Sequence, residues 1–520
     1  MTNFDVIVIG AGHNGLICAI KLAQAGLKVH VVEANQTPGG AATNRQFAPG
    51  FTAPGCAQWL TQISPALIKE LKLEQYGLEF VGSNLPTVAL AVDGNALYID
   101  GESVSGAGVS AADQQALKDF RRLTGKFNRL LHKAFSHRPP RLIEADFADR
   151  WQLLQLGLRM RLMGKDDMNE LLRLGLNNIY DVLNEWFEHP GLRGALSLDA
   201  VLGTHLGPRS PNTVFTYLQR RLAEAWGEGG VYQVKGGMGA FGEALASAAD
   251  AAGVSVQFGN AVSEITMTED RVSGVTLSDG QSLKSRYVIS NADPVTTFST
   301  LLGYQNVETD TARRVSQIRC KSGASKLHLA LDSLPEFTGL SVDDLGHRLV
   351  IAPDMDYVER AFNAVKYDEY SPQPMMDISI PTVRDPDLAP PGKHVLSAIV
   401  QHAPFILQGG WASQRDQVIS DWLDCIAQYA PGLREQVISA ELLTPEDLQD
   451  QYHMTGGHWD HGEISFDQVL MMRPFPAAAQ YETPVAGLFL CGAGSHPGGG
   501  VMGLAGVNAA RQVNETEKNA

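Results

Sequence analysis

No two of the five cysteines form a Cys-x-x-Cys pair. Cys18, Cys56, Cys320, Cys425 and Cys491 are scattered and odd in number. That argues against a disulfide framework, a redox-active dithiol and a zinc ribbon. The chain also lacks any apolar run of about 18 residues, so no transmembrane helix is expected. Positive charge is short: 41 Lys and Arg stand against 57 Asp and Glu, a formal charge of −16. A nucleic-acid surface is therefore not expected, and attraction to anionic lipid heads gains no support. The first residues have neither the basic start nor the cleavable end of a signal peptide. We expect a cytoplasmic protein, with peripheral membrane contact left open. Repeats and low-complexity segments are absent too.

The chain does have length and apolar content. Its 520 residues exceed what one core normally serves, and 44% are hydrophobic, so two or more domains are expected. The opening stretch, Phe4 to Ile9, reads as a buried strand running into Gly10-Ala11-Gly12-His13-Asn14-Gly15. A helical pattern continues to about Ala25, and Leu27 to Glu33 reads as a second strand ending in an acid. This is a βαβ dinucleotide-binding unit in register. Gly10 permits the tight turn, Gly12 the approach of a pyrophosphate, and Gly15 close helix–strand packing. The helix N-terminus favours the phosphates, and Glu33 is placed to accept hydrogen bonds from a ribose. These residues alone say adenine dinucleotide.

The segment after Glu33 favours FAD over NAD. Gly39-Gly40-Ala41-Ala42 supplies bare backbone near the rest of a dinucleotide, and Arg45 is a cation expected close to the pyrophosphate and flavin. Ser64-Pro65 starts a helix, and Asp93-Gly94 marks a hairpin between short strands. From Ala111 to about Arg221 the pattern is helical. Trp151 to Met163 mixes apolar residues with arginines and is read as a core-facing helix of a cap domain, ahead of a membrane-facing one. Gly237 to Gly242 repeats the glycine pattern, but its strand ends in Phe258-Gly259-Asn260 rather than an acid. It is therefore read as packing, not as a second nucleotide site.

Near the end, Gly487 to Gly492 is a final strand that breaks into Ala493 to Gly503, rich in glycine, before a small-residue helix. Such a loop lets backbone lie against a flat ring. The new helix N-terminus can stabilise the negative charge that a reduced flavin develops.

These motifs, with Ser290-Asn291-Ala292-Asp293-Pro294 and Cys491 to Gly500, resemble the phytoene desaturase-like FAD-dependent oxidoreductases. Gly456 to Glu463, Asp467-Gln468 and Arg473-Pro474 resemble the branch named for a pyridine nucleotide-disulfide oxidoreductase domain. The resemblance runs end to end. It implies an α/β fold of the amine oxidase and phytoene desaturase type, a Rossmann-like FAD-binding lobe with an inserted mixed α+β substrate or cap lobe. The FAD lobe is expected in residues 1–75, 225–300 and 480–520, and the cap in 76–224 and 301–479. The resemblance also implies that FAD is held by Gly10, Gly12, His13, Asn14, Gly15, Glu33 and Ala34. Gly39, Gly40, Ala41, Ala42 and Arg45 continue the site. Val262, Asn291, Gly492, Gly494, Gly500, Val501 and Met502 complete it.

The expected reaction removes two hydrogens from a hydrophobic small molecule, with a hydride going to flavin N5. A side-chain base is needed only if the second hydrogen leaves as a proton. Candidates are His453, His458, Asp460, His461 and Glu463, with His461 and then Glu463 preferred; their spacing matches no standard metal site. Alternatives are a flavin-dependent amine oxidase, a non-redox isomerase, or a scaffold that holds FAD without turnover. Trp459 stands alone in its loop, without the aromatic pair that amine oxidation would favour. The electron acceptor (oxygen, quinone or nicotinamide) and the oligomeric state stay open.

Overall fold

The opening strand, Asn3–Ile9, lies inside a sheet whose members come from three distant parts of the chain. In this computed structural model, which describes residues 3–143, 145–227 and 230–519, Val6, Ile7 and Val8 are fully buried. The strand pairs in parallel with Val29–Val32 on one side and with Ser282–Ser290 on the other. Ser255–Gln257 extends the sheet beyond Val29–Val32. The long strand Ser282–Ser290 is shared along its length. Its start pairs with the antiparallel hairpin Val262–Thr268 and Arg271–Leu277, and its end pairs in parallel with Leu488–Leu490. A mostly parallel sheet covered on both faces requires near-continuous apolar runs, which these strands have.

Two helices close over that sheet. His13–Gln24 comes directly after the first strand, and Leu504–Asn519 returns from the end of the chain to lie across it. Gly506 makes this crossing possible, because an added Cβ there would collide with the Asn14 carbonyl. Met238–Ala251, the helix behind the second glycine pattern, packs on the same core. Its turn is occupied by protein: Asn44 Oδ1 accepts from the Gly239 N–H at 2.9 Å, and Asn44 Nδ2 donates to the Gly236 carbonyl at 2.6 Å.

A second, mixed sheet of eight strands forms the other half of the molecule. Its order is 437–443, 324–331, 394–401, 375–379, 348–351, 87–89, 97–100 and 103–106. Neighbours run antiparallel except 348–351 with 87–89. Among the described residues six helices lie between Ala111 and Arg220; five share the core at one end of the sheet and Phe147–Leu162 rests on neighbouring helices, while Ser110, Asp146 and Asn178 cap three of the six through side-chain oxygens. Ser64 caps the helix that starts at Pro65.

One helix departs from the expectation. Phe147–Leu162 has two apolar faces. Leu153, Leu156 and Met160 turn toward the body and are half-buried. Phe147, Trp151, Leu154, Leu158 and Leu162 form a second stripe that stays exposed, from 53% at Trp151 to 83% at Phe147. Spacings of three and four residues put all five on one side of the helix. The core-facing reading holds for one face only.

Candidate functional site

The two sheets meet around a cavity of about 1230 Å³, counted out to its mouth. His13 and Ala41 reach it from the opening segment, and Gly499, Gly500 and Val501 from the closing one. The half with the eight-stranded sheet supplies Asp199, Arg348, Asp377 and Ile399, and the helices supply Leu202, Gln219 and Arg220.

The opening turn is tight around Asn291. A Cβ on Gly12 would come within 2.6 Å of Asn291 Nδ2, and one on Gly15 would collide with the Gly10 carbonyl. The backbone of Gly12 lies against that of Gly39 and Gly40, and the Gly39 N–H donates to the Ala11 carbonyl at 2.9 Å. Glu33 closes the second strand. Its carboxylate accepts the Ala11 N–H at 2.6 Å and the Asn35 N–H at 2.8 Å, while Ala34 lies half-buried between them. Val262 begins the hairpin, against Ile9 and Val32.

A dinucleotide fits this path by what it lacks. His13 Nε2, Asn14 Oδ1 and Ser495 Oγ are buried and have no partner among the described residues, although buried polar atoms are normally satisfied. Burial lowers the His13 pKa to about 4, so its imidazole is neutral at pH 7. At the closing turn Gly500 lies against Gln62, and Met502 is buried with Phe135, Phe215 and Ile464. Gly492 and Gly494 pack on Asn291 and Pro294.

Arg45 is placed differently from the expectation. Its Nε and Nη2 grip Glu441 at 2.6 and 2.7 Å, and its Nη1 donates to Gln451 at 2.7 Å. The guanidinium ties the Asn44–Ala48 strand to the second sheet, and Arg45 is not a cavity residue.

The loop 453–468 also sorts its candidates. Glu463 is turned to Arg319, whose Nε donates to it at 2.7 Å, and it does not line the cavity. Glu463 is therefore no longer a candidate base, because an exposed arginine already holds its carboxylate. His461 is half-buried near Asp293, Arg473, Asp460 and His13, outside the cavity wall, and burial lowers its pKa. His458 is fully buried and neutral, its pKa lowered to about 3 by burial, and His453 is exposed. Asp460 is the member that reaches the cavity. Its carboxylate stands over Gly499, where any Cβ would overlap it. Burial raises its pKa. Among the described residues no group of three His, Cys, Asp or Glu is arranged to hold a metal ion.

Arg473 sets this loop. It is fully buried, and its guanidinium donates to the carbonyls of Asp460, Gly462, Glu463, Gln468 and Ala493. The Arg-Pro pair was visible in the sequence; its use as a backbone staple was not. The cavity also has a second tryptophan, Trp59, whose Nε1 donates to Asp377 Oδ1 at 3.0 Å, so Trp459 is not alone. A buried ionic floor lies beneath. Arg348 donates to Asp377 Oδ2 and to Asp199 Oδ1, both at 2.8 Å. Breaking such a buried pair by removing one partner costs roughly 3–5 kcal/mol.

Comparison with known proteins agrees with this architecture. The family model described as "Flavin containing amine oxidoreductase" matches residues 15–514. A rat protein (Rattus norvegicus), pyridine nucleotide-disulfide oxidoreductase domain-containing protein 2, is 33% identical over 547 residues, covering 99% of this chain and 94% of its own. The lycopene-forming phytoene desaturase of Pseudescherichia vulneris is 27% identical over 516 residues, covering 96% of each chain. Wild-type putrescine oxidase bound to putrescine shares the fold, with a TM-score of 0.61 at 15% identity over 100% of both chains. The chain belongs to the flavin containing amine oxidoreductase family and is an FAD-dependent oxidoreductase.

Proposed function

We propose that this oxidoreductase is a dehydrogenase or desaturase that takes a hydride and a proton from a largely apolar small molecule. The observation that carries it is the cavity wall, where Asp460 stands over Gly499 and the apolar side chains of Ile399, Leu202, Ile464 and Trp459 face a polar floor of Asp199, Arg348 and Asp377. Glu33 and Ala34 would hold the ribose, and Gly10 to Gly15 with Gly39 to Ala42 the pyrophosphate. Val262 and Asn291 would support the adenosine side and the turn, and Gly492 to Met502 the ring system. Bound there, FAD supplies the two-electron acceptor. The chain's part is to exclude water, orient the substrate and take the proton at Asp460, whose pKa burial raises, making it a stronger proton acceptor. We place the FAD-lobe boundaries at 1–75, 225–300 and 480–520, in keeping with the three sources of the first sheet.

Anaerobic mixing tests this reading. A terpene alkene such as limonene should bleach the flavin band, whereas putrescine should not. Bleaching by putrescine alone would replace the reading with amine oxidation, which the Trp59 and Trp459 walls favour. A yellow protein reduced by neither would favour a scaffold.

The exposed stripe on Phe147–Leu162 supports peripheral contact with a lipid surface. Arg150 and Arg161 flank it on one side and Arg159 on the other, and none has an ion-pair partner among the described residues. This local charge is opposite to the chain's overall −16 and complements anionic headgroups. No described helix is long and apolar enough to cross a membrane.

A further inference from the structure

The charges around the cavity floor do not all cancel in place. Arg348 is paired with Asp199 and Asp377. Arg221 is paired with Asp199 and Glu224, and Arg121 with Glu224. Three cations thus meet three carboxylates. Arg473 has its charge taken up by backbone carbonyls. Arg220 and Asp460 remain. Both line the cavity, and neither is in a salt bridge among the described residues.

Arg220 ends the helix Thr213–Arg220 and reaches the cavity from the cap side. One of its terminal nitrogens, Nη2, donates to the Leu202 carbonyl at 2.6 Å, which fixes the fork. Asp460 attracts it from beyond salt-bridge distance, with Asp199 and Asp377 further off, so no carboxylate is in direct contact with the fork among the described residues. A fixed guanidinium on a cavity wall, desolvated and with no direct salt bridge among the described residues, can receive an anion; a planar fork suits a carboxylate in particular.

We propose that Arg220 binds a carboxylate on the substrate, so that an apolar acid is preferred over a neutral alkene of similar shape. This rests on the dehydrogenase reading and narrows it. The carboxylate would be held at Arg220, and the apolar part would lie along Leu202, Ile399 and Trp459 toward Gly499. Asp460 would take its proton from the part of the substrate nearest Gly499.

Titration of the FAD-loaded protein with benzoate and, separately, with benzamide tests this without turnover. The flavin absorbance is the readout. Benzoate should perturb it saturably, and benzamide, the same shape without charge, should bind about tenfold more weakly or worse. Arg220→Gln should weaken benzoate by about tenfold or more, and Arg220→Lys by less. Equal binding of the two probes, no saturable change with benzoate, or an unchanged benzoate affinity in Arg220→Gln would each overturn the proposal. Loss of FAD in Arg220→Gln, with equal binding of the two probes to the parent, would assign Arg220 to the cofactor and overturn it likewise. If Arg220→Gln does not fold, the benzoate–benzamide comparison on the parent protein still decides. Bleaching by limonene with no preference for benzoate would sink this inference and leave the dehydrogenase reading standing. A colourless protein would sink both.

Discussion

Arg473 donates twice to one carbonyl, that of Ala493, from Nε at 3.2 Å and from Nη2 at 2.8 Å. The same Nη2 also donates to the Asp460 carbonyl, and Nη1 holds the loop further on at the Glu463 and Gln468 carbonyls. One buried cation thereby fixes the candidate base relative to the closing glycine turn. Arg473→Met leaves several buried carbonyls without donors, each worth ~1–3 kcal/mol. We expect a lower thermal midpoint, a loss of roughly 3 kcal/mol or more, and weaker FAD retention. Arg473→Lys should rescue little, since an ammonium cannot span the same acceptors. An unchanged midpoint in both variants would refute the staple.

Gly12 and Gly15 should fail in different ways. Gly15→Ala meets the Gly10 carbonyl, which is backbone, so we expect a colourless and less stable protein. Gly12→Ala meets only the end of the Asn291 side chain. The double variant Gly12→Ala/Asn291→Ala should therefore recover stability. It should stay poor in FAD if Gly12 serves the pyrophosphate. The ratio of flavin to protein absorbance, read beside the melting curve, separates the two.

Asp460→Asn should slow anaerobic flavin reduction by roughly 10²–10⁴-fold, the usual worth of a general base. Glu463→Gln should leave the reduction rate near the parent value, because Arg319 holds that carboxylate outside the cavity. The reverse ranking would restore Glu463 as the base.

Lys326 provides a pH test. It is fully buried, donates to Gln58 Oε1 at 2.7 Å and Ser397 Oγ at 3.0 Å, and burial pulls its pKa from 10.5 down to about 7. Below pH 7 both folded and unfolded chains hold the proton, and the charge is buried at full cost. Above 7 the folded protein releases it while the unfolded chain keeps it, so this group's contribution rises with pH up to the unfolded value. Between pH 7 and 9 the parent should gain about 2 kcal/mol relative to Lys326→Met. Equal pH slopes in denaturation curves would contradict the assignment.

The outer stripe of Phe147–Leu162 should bind vesicles. We expect co-sedimentation with phosphatidylglycerol vesicles in preference to phosphatidylcholine. Leu154→Ser/Leu158→Ser should cut it by about tenfold or more, since each buried leucine contributes ~1.5–3 kcal/mol. Unchanged sedimentation would exclude this face. A dimer that the double variant dissolves would assign it to self-association.

Local features were the ones legible in the sequence. The βαβ unit, Glu33 and the closing glycine run are each specified within a few dozen residues, so pattern and turn chemistry suffice. Arg45 could not be read, because Glu441 and Gln451 lie 396 and 406 residues away. Asp460 and Glu463 differ by three positions in an irregular loop, where no period fixes side-chain direction; Arg473 does. In the helix Phe147–Leu162, apolar residues fall on both faces, and the pattern cannot say which one the body covers. Trp59 lies 400 positions before Trp459 and shares its cavity only through the fold.

The contact of Gly506 with Asn14 has a consequence in time. The Gly10 to Gly15 turn leaves the ribosome about 490 residues before Gly503 does. At ~5–20 residues per second, roughly 25–100 s pass between them. Through that interval the first helix lacks its covering partner, and the site has one of its two ends. Cofactor capture is thus coupled to completion of the last helix, and loss of a few C-terminal turns would act on flavin content before it acted on the cap.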